Sequence, residues 1–307
     1  MLGMEGTMTD IIRAAAATLA LTLVWPSPSS AQQVADPDFD VSVAAPAFTR
    51  VHPKMLFDEA HYNFHTTNGR YKPFVELARS DGFTVTPNRD RFSRALLQQF
   101  EVLVISNALG GDGAEAARPA FTEDECDAVS EWVKAGGRLL LIADHAPFGD
   151  AAQTLAKRLG VDMSRGYTFD GAKLTGETTT LSFTRDNGRL GEHFIVNGRN
   201  QSERVNRVRT FTGQSLRGPE GSVAFLKLGE GAKDVATPDG QNPTSAAGRA
   251  QGLAFTSGRG RVVVMGEAAA LSAQVAGPQR SPMGMNAPGN DNRQLALNIM
   301  RWLAGVG

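Results

Sequence analysis

Leu139-Leu-Leu-Ile-Ala-Asp-His-Ala-Pro147 is a run of five apolar residues that ends on an acid and a histidine. It follows Gly136-Gly137, which stop a strongly helical stretch beginning at Thr122. Thr122 and Glu125 stand in capping-box spacing at the start of that stretch. A continuous apolar run directly after a helix reads as a central parallel strand, covered on both faces.

The same rhythm extends toward the N-terminus. Lys54 to Phe57 reads as a short buried strand, Lys72 to Ser80 as a helix, and Phe83 to Thr86 as a second strand. Asp90 to Gln98 reads as a short helix and Glu101 to Ser106 as a third strand. After the opening stretch, Asp150 to Leu159 reads as a helix stopped by Gly160. Residues 161–250 break the pattern with Thr- and Val-rich segments and many glycines, so further strands and long loops are expected there, some antiparallel. Ala247 to Phe255 and Arg261 to Met265 resume the strand signal around a Gly258-Arg-Gly260 turn, and Gln294 to Leu303 is a closing helix. Strand and helix alternation of this kind indicates a doubly wound α/β sheet.

A second strand ends as the first does. Met55-Leu-Phe57 runs into Asp58-Glu-Ala-His61, with His65 four residues on. Three of the five histidines lie in these two stretches. Ligands of open α/β sheets bind beyond the carboxyl ends of the strands, so both stretches point to one edge.

The order of these motifs resembles a known family. Asp58-Glu-Ala-His61 is followed by strand-Ser106-Asn107, then by Gly136-Gly-Arg138 and Ala143-Asp-His-x-Pro147. Late in the chain come Gly258-Arg-Gly-Arg-Val-Val-Val-Met-Gly-Glu-Ala268 and Gly289-Asn-Asp-Asn-Arg-Gln-x-Ala-Leu-Asn-x-x-x-Trp-Leu303. Over residues 53–305 this is similar to the class I glutamine amidotransferase-like superfamily, and within it to an uncharacterised bacterial branch, domain of unknown function 4350. The resemblance implies a flavodoxin-like three-layer α/β/α sandwich with a mostly parallel sheet. Amidotransferases of this superfamily place a nucleophilic cysteine after a central strand, with a later His-x-Glu pair. Asp144-His145 stands at that place here, so glutamine hydrolysis by that mechanism is not expected.

The side chains suggest other chemistry. Asp58, Glu59, His61 and His65 form a candidate metal-ligand group, and Asp144, His145 and Glu267 a candidate catalytic group. Two imidazoles with carboxylates suit zinc, and a set with more oxygens suits calcium. Ser106, Asn107 and Asp291 are candidates for binding substrate. The bland reading is that His61 and His65 cap the first loop and that Asp144 fixes its own turn. A serine hydrolase at Ser106 has the Gly-rich loop 109–113 beside it but lacks the Gly-x-Ser-x-Gly elbow. The leading expectation is a metal-assisted hydrolase of a small ester, lactone or amide. The alternative is a non-catalytic carbohydrate- or peptide-binding module.

Charge and composition set the remaining bounds. The 307 residues carry a formal net charge of -1, so no strong field points to nucleic acid. Arg13, the 12-residue apolar run from Ala14 to Trp25, and small residues at Ser29 and Ala31 read as a signal peptide over residues 1–31. The run is short of the ~20 residues that span a bilayer. A periplasmic or secreted protein is therefore expected, with a small-molecule substrate and no membrane contact after cleavage. Residues 32–52 read as a tail or linker, and residues 53–307 as one α/β domain with an irregular β-rich insertion over 161–250. Cys126 is the only cysteine, and its place inside a helix reads as structural.

Overall fold

The apolar runs form the parallel half of a nine-stranded sheet. A computed structural model describes residues 33–170, 180–238 and 240–307. The expected signal peptide lies outside the described residues, and no described helix is long and apolar enough to cross a membrane. In chain order the main-sheet strands are β1 (Lys54–Asp58), β2 (Thr84–Asn88), β3 (Val102–Ser106), β4 (Arg138–Ile142), β5 (Asp162–Met163), β6 (Leu216–Arg217), β7 (Val223–Lys227), β8 (Ala250–Ser257) and β9 (Gly260–Met265). Their spatial order is β2-β1-β3-β4-β9-β8-β6-β5, with β7 also paired to β8. The pairings from β2 across to β9 are parallel. The pairings that involve β8, β7, β6 and β5 are antiparallel.

Successive residues of the parallel strands enter two different cores. Met55, Phe57, Val104 and Ile142 pack with α1 (Lys72–Ser80) and α4 (Asn292–Leu303). Leu56, Leu103, Ile105 and Leu141 pack with α2 (Glu123–Lys134) and α3 (Phe148–Arg158). Both faces are covered, which is why these strands read as unbroken apolar runs rather than alternating ones. Thr122 and Glu125 close the expected capping box on α2. Cys126 is fully buried on that helix, and burial pushes its thiol up to about 12, so it stays neutral. The β8–β9 hairpin turns at Gly258, whose φ is +59° and where a Cβ would lie 2.5 Å from the Lys134 carbonyl oxygen. Only glycine fits there without strain.

Two stretches sit closer to the core than their sequence suggests. Three strands from residues 161–250, β5 to β7, extend the main sheet itself. Others from that region form a small sheet of Thr244–Ser245, Ala232–Val235 and Tyr167–Asp170, and Thr180–Thr184 pairs with Arg207–Phe211. Residues 33–52, read as a tail, pack on the domain instead. Gln33–Ala35 pairs antiparallel with Ala273–Ala276, and Phe48 meets the Phe83 ring edge-on at 4.8 Å. The apolar residues of this stretch, Phe39, Val43 and Phe48, have no regular period, so no helix or strand pattern announces them.

Candidate active site

Ala143 and Asp144 continue β4, and Gly266 and Glu267 continue β9. Because Ile142 pairs with Met265, the two acids leave the sheet side by side. They open on a cavity of about 260 Å³. Asn107 lines it from the end of β3, and His145 from the turn after β4. His65 and Arg70 enter from the loop before α1, and Gln33 and Gln274 from the small sheet at the N-terminal strand. Phe64, Phe148 and Phe211 are the aromatic walls.

Glu267 is fully buried and has backbone amides as partners. Its two carboxyl oxygens accept from the Ala269 N–H at 2.6 Å and the Ala270 N–H at 2.8 Å. Asp144 accepts from its neighbour's N–H, that of His145, at 2.7 Å and from that of Ala268 at 3.3 Å. Burial raises the pKa of both groups, Glu267 well above its ordinary value, and for Glu267 the nearby Asp144 charge adds to the effect. Two desolvated like charges resist ionising together, so the pair holds a proton more tightly than free carboxyls do.

The His145 ring stacks on Tyr167 with centroids 4.7 Å apart. Its Nδ1–H donates to the Ala146 carbonyl at 2.8 Å, which leaves Nε2 as the basic nitrogen, 4.0 Å from Asp144 Oδ1. Two amides hold the turn. Asn107, with φ of +49°, accepts the Asp144 N–H at 3.0 Å. Gln214 donates to the carbonyls of Ala143 and Asp144, each at 2.9 Å.

Ser106 is fully buried beneath the cavity and does not line it. It lies 3.0 Å from His65 Nδ1 and hydrogen-bonds Tyr71, whose hydroxyl donates to the Ala268 carbonyl at 2.6 Å. Burial and the nearby Arg70 charge lower the His65 pKa to about 3, so that ring is neutral. This chain of contacts holds the Ala268–Ala269 peptide, whose N–H reaches Glu267.

The first acid–histidine end is closed. His61 is 1% exposed, with Nδ1 2.9 Å from Asp58 Oδ2 and Nε2 2.8 Å from Glu125 Oε1. Burial works against its charged form, but the two carboxylates outweigh burial and raise its pKa. Glu125 is driven the other way. Burial would raise it, yet the Thr122 amide, His61 and the Phe92 amide bring it down to about 2. Arg91 adds a second cation, 3.3 Å from Glu125. Glu59 accepts from the Thr67 amide and hydroxyl, both at 2.7 Å.

The four expected metal ligands therefore do not converge on one point. Both His61 nitrogens are occupied by carboxylates, His65 faces Ser106, and Glu59 holds Thr67. Among the described residues no group of three or more His, Cys, Asp or Glu side chains is placed to hold a metal ion. Asp291, expected to bind substrate, instead stands at the start of α4 and accepts the amides of Asn206 and Arg207 at 2.7 and 2.9 Å. Asn107, Asp144, His145, Glu267 and His65 do share one cavity. Arg70, Tyr71, Gln33, Gln214 and Gln274 belong to the site without any local motif to announce them.

No family model and no curated protein matches the chain. Among solved structures, the mmIFT52 N-terminal domain is 14% identical with a TM-score of 0.56, covering 82% of this chain and 97% of that one. A cytoplasmic protein from Salmonella typhimurium is 13% identical with a TM-score of 0.46, covering 82% and 98%. A protein described as ThuA-like from Parabacteroides merdae is 14% identical with a TM-score of 0.43, covering 83% and 91%. At these identities the likeness concerns the α/β fold and not the chemistry.

Proposed function

We propose that this chain is a hydrolase of a small ester, lactone or amide, working by general acid–base chemistry at Asp144 and Glu267. The observation that carries the reading is the pair itself: two carboxyls from adjacent strand ends, desolvated and facing one cavity. A pair that shares one proton offers a base and an acid together. Asp144 is the more open of the two and lies beside His145, so it takes the proton from water as the oxygen adds to the carbonyl carbon. Glu267 gives its proton to the departing oxygen or nitrogen. The pair again holds one proton afterwards, so the step balances. The step as proposed uses these two carboxyls and one water.

The finer structural readings belong to the same proposal. The β2-β1-β3-β4 order favours a flavodoxin-like three-layer sandwich, and the motif order favours the amidotransferase-like superfamily and its uncharacterised bacterial branch. Export to the periplasm or medium rests on residues 1–31, and N-terminal sequencing of the recovered protein should begin at Gln32.

Glu267→Gln tests the chemistry. The variant should fold and lose roughly 100- to 10 000-fold of the turnover on whichever ester, lactone or amide the wild type cleaves. Unchanged turnover in that variant would sink the acid–base role. The second reading, a carbohydrate- or peptide-binding module, has its support in the aromatic and amide lining of Phe64, Phe148, Phe211, Gln33 and Asn107. Sugar or peptide binding by a wild type that cleaves no substrate of the three classes would favour it.

A further inference from the structure

Arg70 is the one Lys or Arg side chain among the residues lining the cavity, and the side-chain hydrogen bonds it makes among the described residues go to Gln33 rather than to a carboxylate. Its Nε–H donates to the Gln33 carbonyl at 3.0 Å, and Nη1 reaches Gln33 Oε1 at 3.4 Å. The guanidinium lies 4.3 Å from the centre of the Phe64 ring. A guanidinium has five N–H donors, so most of its hydrogen-bonding capacity is left over. Stacked on a ring and held from one side, it is oriented as a planar receptor for a carboxylate.

A second, independent feature lies in the same cavity. Gln274 is 1% exposed, and its Oε1 has no protein partner among the described residues. The orientation of its amide follows from its neighbours. The Ser272 hydroxyl donates its single hydrogen to the Ala269 carbonyl at 2.8 Å, so Ser272 Oγ must accept from Gln274 Nε2 at 2.6 Å. That leaves Oε1 as a buried acceptor that calls for an N–H or O–H donor. The retained proton on Asp144 and Glu267 also lowers the negative charge that an incoming anion meets.

We infer that the substrate is a small carboxylic acid with an amide N–H or hydroxyl close to its carboxylate, the carboxylate on Arg70 and the donor on Gln274 Oε1. This deepens, and rests on, the reading of the cavity as a hydrolytic site. Its size fits, since about 260 Å³ is room for roughly nine waters at ~30 Å³ each.

The test uses the full chain and three probes at millimolar concentration, followed by calorimetry. N-acetylglycine carries both features, N-acetylglycinamide lacks the charge, and N-acetylsarcosine lacks the N–H. The β-alanine homologues repeat the comparison at a longer spacing. In one of the two series the acid should bind at least tenfold more tightly than its amide and more tightly than its N-methyl form. Arg70→Met should abolish the preference over the amide, and Gln274→Met the preference over the N-methyl form. Equal binding of acid and amide by the wild type, or no binding of either acid, overturns the inference without relying on any variant. Equal binding of N–H and N-methyl forms overturns the Gln274 half. The acid–base reading fails separately. A Glu267→Gln variant that keeps both preferences and still hydrolyses normally removes that reading and leaves the anchor, whereas turnover without any preference for acids removes the anchor alone.

Discussion

Asp58–His61 after β1 and Asp144–His145 after β4 are built from the same residue types, yet one is sealed and the other faces a cavity. The difference lies in what the neighbouring elements deliver. At the end of β1, Glu125 arrives from the first turn of α2 and Arg91 joins it, so two carboxylates meet two cations. The Phe92 and Phe121 rings then cover His61, each with its centroid 4.7 Å away. At the end of β4 the neighbour is β9, which delivers another acid, and the partners are backbone amides. Balanced charge can be buried as a fixed cluster. Unbalanced acids keep a proton, and a mobile proton is what catalysis uses.

Removing His61 breaks this contrast most severely. His61→Leu would leave Asp58 and Glu125 buried without the cation between them, at a cost of roughly 3–5 kcal/mol. Denaturant unfolding measures this, and a loss below about 1 kcal/mol would mean the cluster is not the structural clasp described. The folded fraction should keep its turnover, the reverse of the Glu267→Gln pattern.

Acidity separates the two ends more gently. His61 has a raised pKa, so its contribution is complete below about 6.5 and fades as pH rises through the raised value. Glu125 is lowered to about 2, so its contribution is complete above about 4.5 and fades as pH falls through about 2. The sealed end therefore stabilises best between those limits. Asp144 and Glu267 are raised acids, which favour the fold while protonated and weaken it as pH rises through their shifted values. Glu267→Gln should thus become progressively more stable than wild type as pH climbs, and wild-type turnover should fall as pH passes the raised values. Urea unfolding and rate measurements across pH follow the two effects. A stability difference that does not change with pH would contradict the desolvated proton.

The smallest expected effect is none. Prolonged chelation should leave turnover unchanged, because the first end presents no open donor set. A rate restored only by zinc or calcium would reassign the site.

Much of this was legible in the sequence, but unevenly. The parallel strands announce themselves because both of their faces are buried, and the α2 capping box because its spacing is local. That Asp144, His145, Glu267 and Asn107 share one cavity was legible because parallel strand ends of this fold class lie along one edge. The four candidate metal ligands are kept apart for a non-local reason. The partner that closes His61 is 64 residues away, on a helix whose sequence explains Glu125 completely as a cap. Arg70, Gln214 and Gln274 were missed because they lie in loops or short strands whose pairing depends on distant residues, Gln33 and Ser164 among them.

Gln33 gives the first residues of the described chain an unexpected importance for anyone choosing where to begin an expressed fragment. A fragment starting after Asp36 would keep every strand of the main sheet and both cores. It would lose one wall of the cavity and both oxygens that orient Arg70. Such a fragment could pass every check of folding and still misreport what the protein binds.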